Sequence, residues 1–128
     1  MTEMPSGLRA KDMVSQALEQ ATTLPAVAYA DPAFHGFEQQ CIFARSWQLV
    51  GRADQLCEAG DHVVAEVAGK PILVVRDSDG VLRGFFNVCR HRAGPLALGN
   101  GNARQLRCHY HGWTYTLEGQ LRSAHEME

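Results

Sequence analysis

The feature that most restricts this chain is a set of four metal-type donors in two short groups. Cys89-Arg90-His91 is followed, after sixteen residues, by Cys108-His109-Tyr110-His111. As a pattern this is C-x-H-x16-C-x-x-H, with one thiolate donor and one imidazole donor in each group. Gly94, Pro95, Gly99 and Gly101 fill the stretch between, and Gly112 follows the last donor. These turn-forming residues suit two hairpin-like loops that face each other and hold a metal group between their tips. A Cys₂His₂ zinc site ordinarily pairs like with like, as C-x₂₋₄-C followed by H-x₃₋₅-H. Here each group mixes the two ligand types, which suits a binuclear iron–sulfur cluster with both cysteines on one iron and both histidines on the other. A single zinc ion is the alternative.

Charge counting distinguishes such a centre from an all-cysteine one. Two ferric ions, two sulfides, two thiolates and two neutral imidazoles sum formally to zero, and an added electron brings the total to −1. An all-cysteine cluster goes from −2 to −3 and resists the electron more. Histidine ligation therefore places the potential at about −150 to +300 mV, against roughly −400 mV for plant-type ferredoxins. Arg90 and Arg92 beside the donors favour the reduced form further, and either is also suited to an acidic partner. The chemistry expected is one-electron transfer.

The rest of the chain has to supply a scaffold. Apolar residues at Ala10, Met13, Val14, Ala17, Leu18 and Ala21 have helical spacing. Thr22–Ala30, with Pro25, reads as a linker. Asp31-Pro32 opens a second helix, with Asp as N-cap and Pro in the first helical position, and Phe34, Phe37, Cys41 and Ile42 are assigned to its inner face. After Trp47 the texture changes to short apolar runs between turn residues. The predicted strands are Trp47–Val50, His62–Val67, Ile72–Arg76, Val81–Val88, Arg104–Arg107 and Thr114–Leu117. Ala59–Asp61, Gly69-Lys70, Asp77–Gly80, Gly99–Asn102 and Glu118-Gly119 separate them, and Asp79-Gly80 is a hairpin signal. The expectation is a mostly β chain, a small antiparallel sandwich or barrel, preceded by two helices.

At 128 residues there is apolar material for one core. A net charge of −2 offers no basic field for nucleic acid. No apolar run approaches the roughly 18 residues of a membrane span, and the N-terminus carries acids without an apolar h-region. The expected setting is cytoplasmic, where cysteines stay reduced. Cys41 reads as an apolar filler, Cys57 as a spare thiol, and His35 and His62 as surface or strand residues.

The donor groups and their neighbours resemble a known family. Phe86-Asn87-Val88-Cys89-Arg90-His91-Arg92 and Cys108-His109-Tyr110-His111-Gly112-Trp113-Thr114-Tyr115 are similar to the two cluster loops of Rieske non-haem iron oxygenases, the ring-hydroxylating dioxygenases and related monooxygenases. The likeness extends to Ile42–Trp47, Ala59-Gly60-Asp61, Val74-Val75-Arg76 and Leu117–Leu121. It implies a Rieske-type antiparallel β fold with a cluster-binding subdomain over residues 31–128, after a helix and linker over 1–30. It implies a Rieske [2Fe–2S] cluster with Cys89 and Cys108 on the buried iron and His91 and His111 on the outer one. Arg92 and Trp113 would lie beside the cluster, and loop amides would donate to the sulfurs.

The cytochrome bc-complex type is a poorer match. It carries an additional cysteine in each loop, at positions corresponding to Gly94 and Tyr110, joined as a disulfide, and a serine where this chain has Trp113. The resemblance therefore implies a potential toward the low end of the range. His109 stands where the motif usually has proline; it reads as a tolerated loop substitution, with a proton-active or docking role as the alternative. In the oxygenases a catalytic domain follows, binding mononuclear iron through a 2-His-1-carboxylate triad. It would begin shortly after Leu121, and His35, His62, His109 and His125 form no D-x₂-H-x₄-H arrangement, so this chain alone is expected only to transfer electrons. The implied partners are a ferredoxin or flavin-dependent reductase as donor and a mononuclear-iron catalytic domain as acceptor, with a homo-oligomer possible and neither nucleic acid nor membrane involved. A free-standing Rieske ferredoxin is the second reading and a structural zinc module the third.

Overall fold

The computed structural model describes residues 16–125, in two compact units that divide after Trp47. In the first unit, α1 (Val27–Ala30) leads into α2 (Pro32–Cys41). The Asp31 carboxylate accepts a hydrogen bond from the Ala33 amide at 2.8 Å, and Pro32 takes the first turn, where its missing N–H costs nothing. Phe34 is buried and its ring lies 6.3 Å from that of Phe37. Ile42 falls beyond the helix and is exposed, so it is not part of an inner face. Most of the helix expected from Ala10 lies outside the described residues; its last part, Leu18–Gln20, is an exposed 3₁₀ turn. The expected linker contains α1, a single turn in which the Ala28 amide donates to Pro25 O and the Tyr29 and Ala30 amides to Ala26 O.

The second unit is built from seven antiparallel strands: β1 (Asp61–Val67), β2 (Lys70–Arg76), β3 (Leu82–Phe86), β4 (Gly101–Asn102), β5 (Leu106–Arg107), β6 (Thr114–Tyr115) and β7 (Leu121–Ser123). One sheet has the order β3-β2-β1-β4 and the other β5-β6-β7. The alternation of β2 directs Leu73 and Val75, both fully buried, to the inner face, where they meet Leu96, Leu106, Trp113, Tyr115 and Leu117. Burying each such aliphatic side chain contributes about 1.5–3 kcal/mol. Cys89 and Cys108 belong to this same core.

Trp47–Val50 forms no strand. Its short apolar run suggested one, yet Trp47 and Leu49 are both solvent-exposed, so the run marks no buried face. Two strands arise where none was expected. β4 lies in the Gly99–Asn102 separator because Asn102 Nδ2 donates to Ala59 O and to Asp61 Oδ1, fastening the segment to β1. β7 pairs with β6 across the Glu118-Gly119 turn.

The Asp77–Gly80 hairpin forms as expected, joining β2 to β3. Its centre is the fully buried Asp77 side chain, which accepts from the Asp79 and Val81 amides and from Arg83 Nε at 2.6 Å. Burial pushes the Asp77 carboxyl up, but these donors outweigh it and hold it below the usual carboxylate range. The charged form therefore stabilises the fold above pH about 4, and that contribution disappears as pH falls through the depressed native value. Asp77→Asn is expected to lower the denaturation midpoint at neutral pH, with the difference from wild type shrinking on acidification. A difference that stays constant with pH would contradict this account. Asp54→Asn, which breaks a fully exposed pair with Arg52, should have the smaller effect.

Candidate metal centre

The two donor groups fold into near-identical loops. In the first, the Cys89 amide donates to Gly94 O at 2.8 Å and the Ala93 amide to Cys89 O at 3.0 Å. In the second, the Cys108 amide donates to Trp113 O at 2.8 Å and the Gly112 amide to Cys108 O at 3.0 Å. Each loop thus closes five residues after its cysteine, and each has a left-handed residue at the fourth step: Ala93 with φ 57° and Gly112 with φ 74°. The unequal C-x-H and C-x-x-H spacings therefore place histidines at different steps of equivalent turns. Gly94 lets the loops close on each other, since a Cβ there would sit 3.1 Å from both Cys108 Sγ and Tyr110 Cβ. Gly94 and Tyr110, the positions at which the bc-complex type has its cysteines, are accordingly neighbours in space.

Cys89 and Cys108 are 1% and 3% exposed, whereas His91 and His111 are half-buried. The two imidazole rings lie 4.7 Å apart, centroid to centroid, at 62°. On its other side His91 stacks on Trp113, at 4.7 Å and 6°, and His111 lies against Tyr110 at 3.8 Å. The four donors thus form a polarised site with sulfur at the core end and imidazole at the surface end.

The sulfur end is furnished with donors. The Tyr115 hydroxyl lies 3.2 Å from Cys89 Sγ and accepts from the Arg90 amide at 3.2 Å, which leaves its proton for the sulfur. The Tyr110 amide donates to Cys108 Sγ at 3.5 Å. Burial pushes the Cys89 thiol up, but Tyr115, the His91 and Arg92 amides and the Cys108 thiol outweigh it, and the thiol lies below its ordinary range. Burial and the neighbouring sulfur raise the Tyr115 phenol, so it stays protonated. Tyr115 was passed over in the sequence, where its only signal was an aromatic with a polar tip in a predicted strand. Asn87 was passed over as well. Buried at the end of β3, it accepts from the Leu96 and Ala97 amides and donates to Ala97 O at 2.7 Å, fastening the far side of the first loop. Of the two expected neighbours, Trp113 is buried against His91, while Arg92 contributes its amide and leaves its side chain exposed.

Nδ1 of His91 and Nδ1 of His111 are buried without a hydrogen-bond partner among the described residues. Orphaned buried nitrogens are costly unless a ligand satisfies them. Each is an acceptor in the tautomer that protonates Nε2, which is the form that binds iron. A Cys89 thiol held toward the thiolate form, a second buried cysteine beside it and paired imidazole nitrogens without partners fit a Rieske-type cluster. Among the described residues no group of three or more His, Cys, Asp or Glu side chains gathers as a single-ion site.

Comparison with known proteins agrees with this chemistry. The family described as Rieske [2Fe-2S] domain matches residues 46–128. Choline monooxygenase, chloroplastic, of Arabidopsis thaliana is 43% identical over 110 residues, which are 86% of this chain and 26% of that protein. A quaternary ammonium Rieske monooxygenase, whose structure bears on carnitine oxidation by gut microbiota and inter-subunit electron transfer, superposes with a TM-score of 0.75 at 38% identity. The match covers 80% of this chain and 28% of the other. Naphthalene 1,2-dioxygenase from Rhodococcus sp. gives a TM-score of 0.75 at 37% identity, over 80% and 23% of the two chains. The chain therefore spans less than a third of the length of these relatives. Among the described residues no helix is long and apolar enough to cross a membrane.

Proposed function

We propose, from the premise that this chain belongs to the Rieske [2Fe–2S] domain family, that it relays single electrons from a ferredoxin or flavin-dependent reductase toward the mononuclear iron of an oxygenase catalytic domain. The observation that carries this reading is the pair of partnerless Nδ1 atoms on His91 and His111, set at the surface end of a site whose cysteines lie in the core. Cys89 and Cys108 would hold the inner iron, and His91 and His111 the outer. The group so held supplies one-electron transfer at a potential that histidine ligation raises. The half-buried imidazoles form the edge through which a partner is reached, while the Leu73, Leu106 and Tyr115 side of the core excludes water from the sulfurs. Choline and naphthalene are chemically unlike, yet the proteins named for them resemble this chain to a similar degree.

The test is an electron paramagnetic resonance spectrum of the dithionite-reduced protein, alongside iron and zinc analysis. A rhombic signal with about two irons per chain is expected. A silent spectrum with one zinc per chain would overturn the reading.

Tyr115 offers a finer test. Its hydroxyl donates to the Cys89 sulfur, which carries more negative charge when the centre is reduced, so the bond favours reduction. Tyr115→Phe keeps the buried ring and removes only that donor. The potential is expected to fall by a few tens of mV, on a scale where 59 mV corresponds to about 1.4 kcal/mol for one electron. An unchanged potential would mean that the hydroxyl does not serve the sulfur.

A further inference from the structure

The two ligand loops match step for step along their backbones, and they differ in what stands at two of those steps. The residue before the cysteine is Val88 in the first loop and Arg107 in the second. The fourth residue after the cysteine is Ala93 in the first and Gly112 in the second. Along β5 Leu106 turns into the core, so Arg107 turns outward. Gly112 gives it room. A Cβ at Gly112 would lie 3.3 Å from Arg107 Nη2, 3.5 Å from Nε and 3.9 Å from Cζ. The guanidinium therefore lies along the backbone of the residue that joins His111 to Trp113. In the first loop a valine and an alanine methyl hold the corresponding positions and supply no charge. Neither ion pair among the described residues, Arg52–Asp54 or Arg83–Asp77, involves Arg107. The arginines adjacent to the donors in sequence are placed otherwise. Arg90 lines a cleft with Phe86, Val88 and Tyr115 that neither imidazole reaches, and Arg92 leaves its side chain exposed.

From this placement we infer that Arg107 sets the reduction potential of the centre, its guanidinium stabilising the electron received between the two loops. The inference rests on the relay function proposed above and adds to it the residue that tunes the relay. Reduction takes the centre from formally neutral to −1, so a cation fixed against one ligand loop lowers the energy of the reduced form more than that of the oxidised form. The favour that adjacency in sequence assigned to Arg90 and Arg92 thus falls to Arg107. A guanidinium suits the position: it is planar, weakly hydrated and charged at every working pH, so it can lie flat on a peptide without losing its charge. One of its faces rests on the loop and the other is in water, since Arg107 is exposed. The interaction is therefore weaker than that of a buried pair and is partly screened by salt.

The experiment is voltammetry of the cluster-loaded chain at low and high ionic strength, with a series of substitutions at one position. Arg107→Gln should shift the reduction equilibrium toward the oxidised form about threefold at low salt, which is about 28 mV where a tenfold change is 59 mV. Arg107→Glu should shift it about ninefold, twice as far on the same scale, and Arg107→Lys should recover most of the wild-type value. The displacements should shrink at 1 M salt, where the screening length is about 3 Å. Iron content and the spectrum of the reduced protein should stay those of the wild type throughout. Asp79→Asn changes the net charge by the same one unit at the exposed turn on the other end of β3 from Cys89, and should move the equilibrium much less. A potential unchanged by Arg107→Gln overturns the inference. So do equal displacements in the Gln and Lys variants, which would make shape and not charge the cause, and loss of iron in the Gln variant, which would make the guanidinium a brace for the loop. An Asp79→Asn shift as large as that of Arg107→Gln also overturns it, because net charge and not placement would then act. Failure of the relay reading is separate and precedes these outcomes: the wild-type chain would then show no reducible cluster at all.

Discussion

Cys108→Ala is expected to bring iron from about two atoms per chain to near zero while the strands persist. The loop that carries Cys108 is closed by its backbone, through the bonds between the Cys108 amide and Trp113 O and between the Gly112 amide and Cys108 O, and alanine keeps both. Removing one buried sulfur atom costs the metal-free fold about 1 kcal/mol in lost packing, together with the long 3.5 Å bond from the Tyr110 amide, which stands at an exposed residue and can turn to water. Circular dichroism of the metal-free variant should therefore match that of metal-free wild type, which separates loss of the ligand from loss of the fold. Cys89→Ala should lose iron equally and cost more stability. It removes the acceptor of the Tyr115 hydroxyl and leaves a buried donor unsatisfied, a further penalty of about 1–3 kcal/mol. Retention of full iron in either variant would show that the sulfur is not a ligand. Equal stabilities of the two metal-free variants would show that the Tyr115 hydroxyl is not committed to Cys89.

The two donor loops could be read in the sequence because their information is local. Two donors within three or four residues, closed by glycine, describe a loop whatever surrounds it, and the structure builds two such loops on equivalent backbones. The Asp31-Pro32 helix start and the Asp79-Gly80 hairpin were legible for the same reason. Features that depend on distant partners were not. β4 is held by Asn102 reaching Ala59 and Asp61, some forty residues earlier, and nothing in Gly-Asn itself signals a strand. Tyr115 acts on a sulfur 26 residues away, and Asn87 on amides nine and ten residues away, so their neighbours in sequence reveal neither role. Trp47–Val50 misled in the opposite sense. Its residues are apolar, but a strand also needs a face to bury, and the exposed Trp47 and Leu49 have none.

His91→Cys is expected to lower the reduction potential by roughly 100 mV or more if a cluster assembles. The argument is one of charge. With a third thiolate the oxidised centre goes from formally neutral to −1 and the reduced one from −1 to −2, so the incoming electron meets one more negative charge. Replacing both histidines spans the interval from the Rieske range down to about −400 mV, and one replacement should cover a substantial part of it. The substitution also changes how the potential responds to pH. An imidazole bound through Nδ1 keeps a proton on Nε2, and binding to ferric iron makes that proton easier to lose than binding to ferrous iron does. Above the ferric-state pKa each imidazole then contributes a slope of about 59 mV per pH unit per proton released on oxidation. Two imidazoles in the wild type should give a potential that falls steeply at alkaline pH, and the variant, with only His111 left, about half that limiting slope. Voltammetry across alkaline pH measures both quantities at once. A potential unchanged by the substitution, or a slope as steep as in the wild type, would remove His91 from the ligand set and with it the two-histidine basis of the relay.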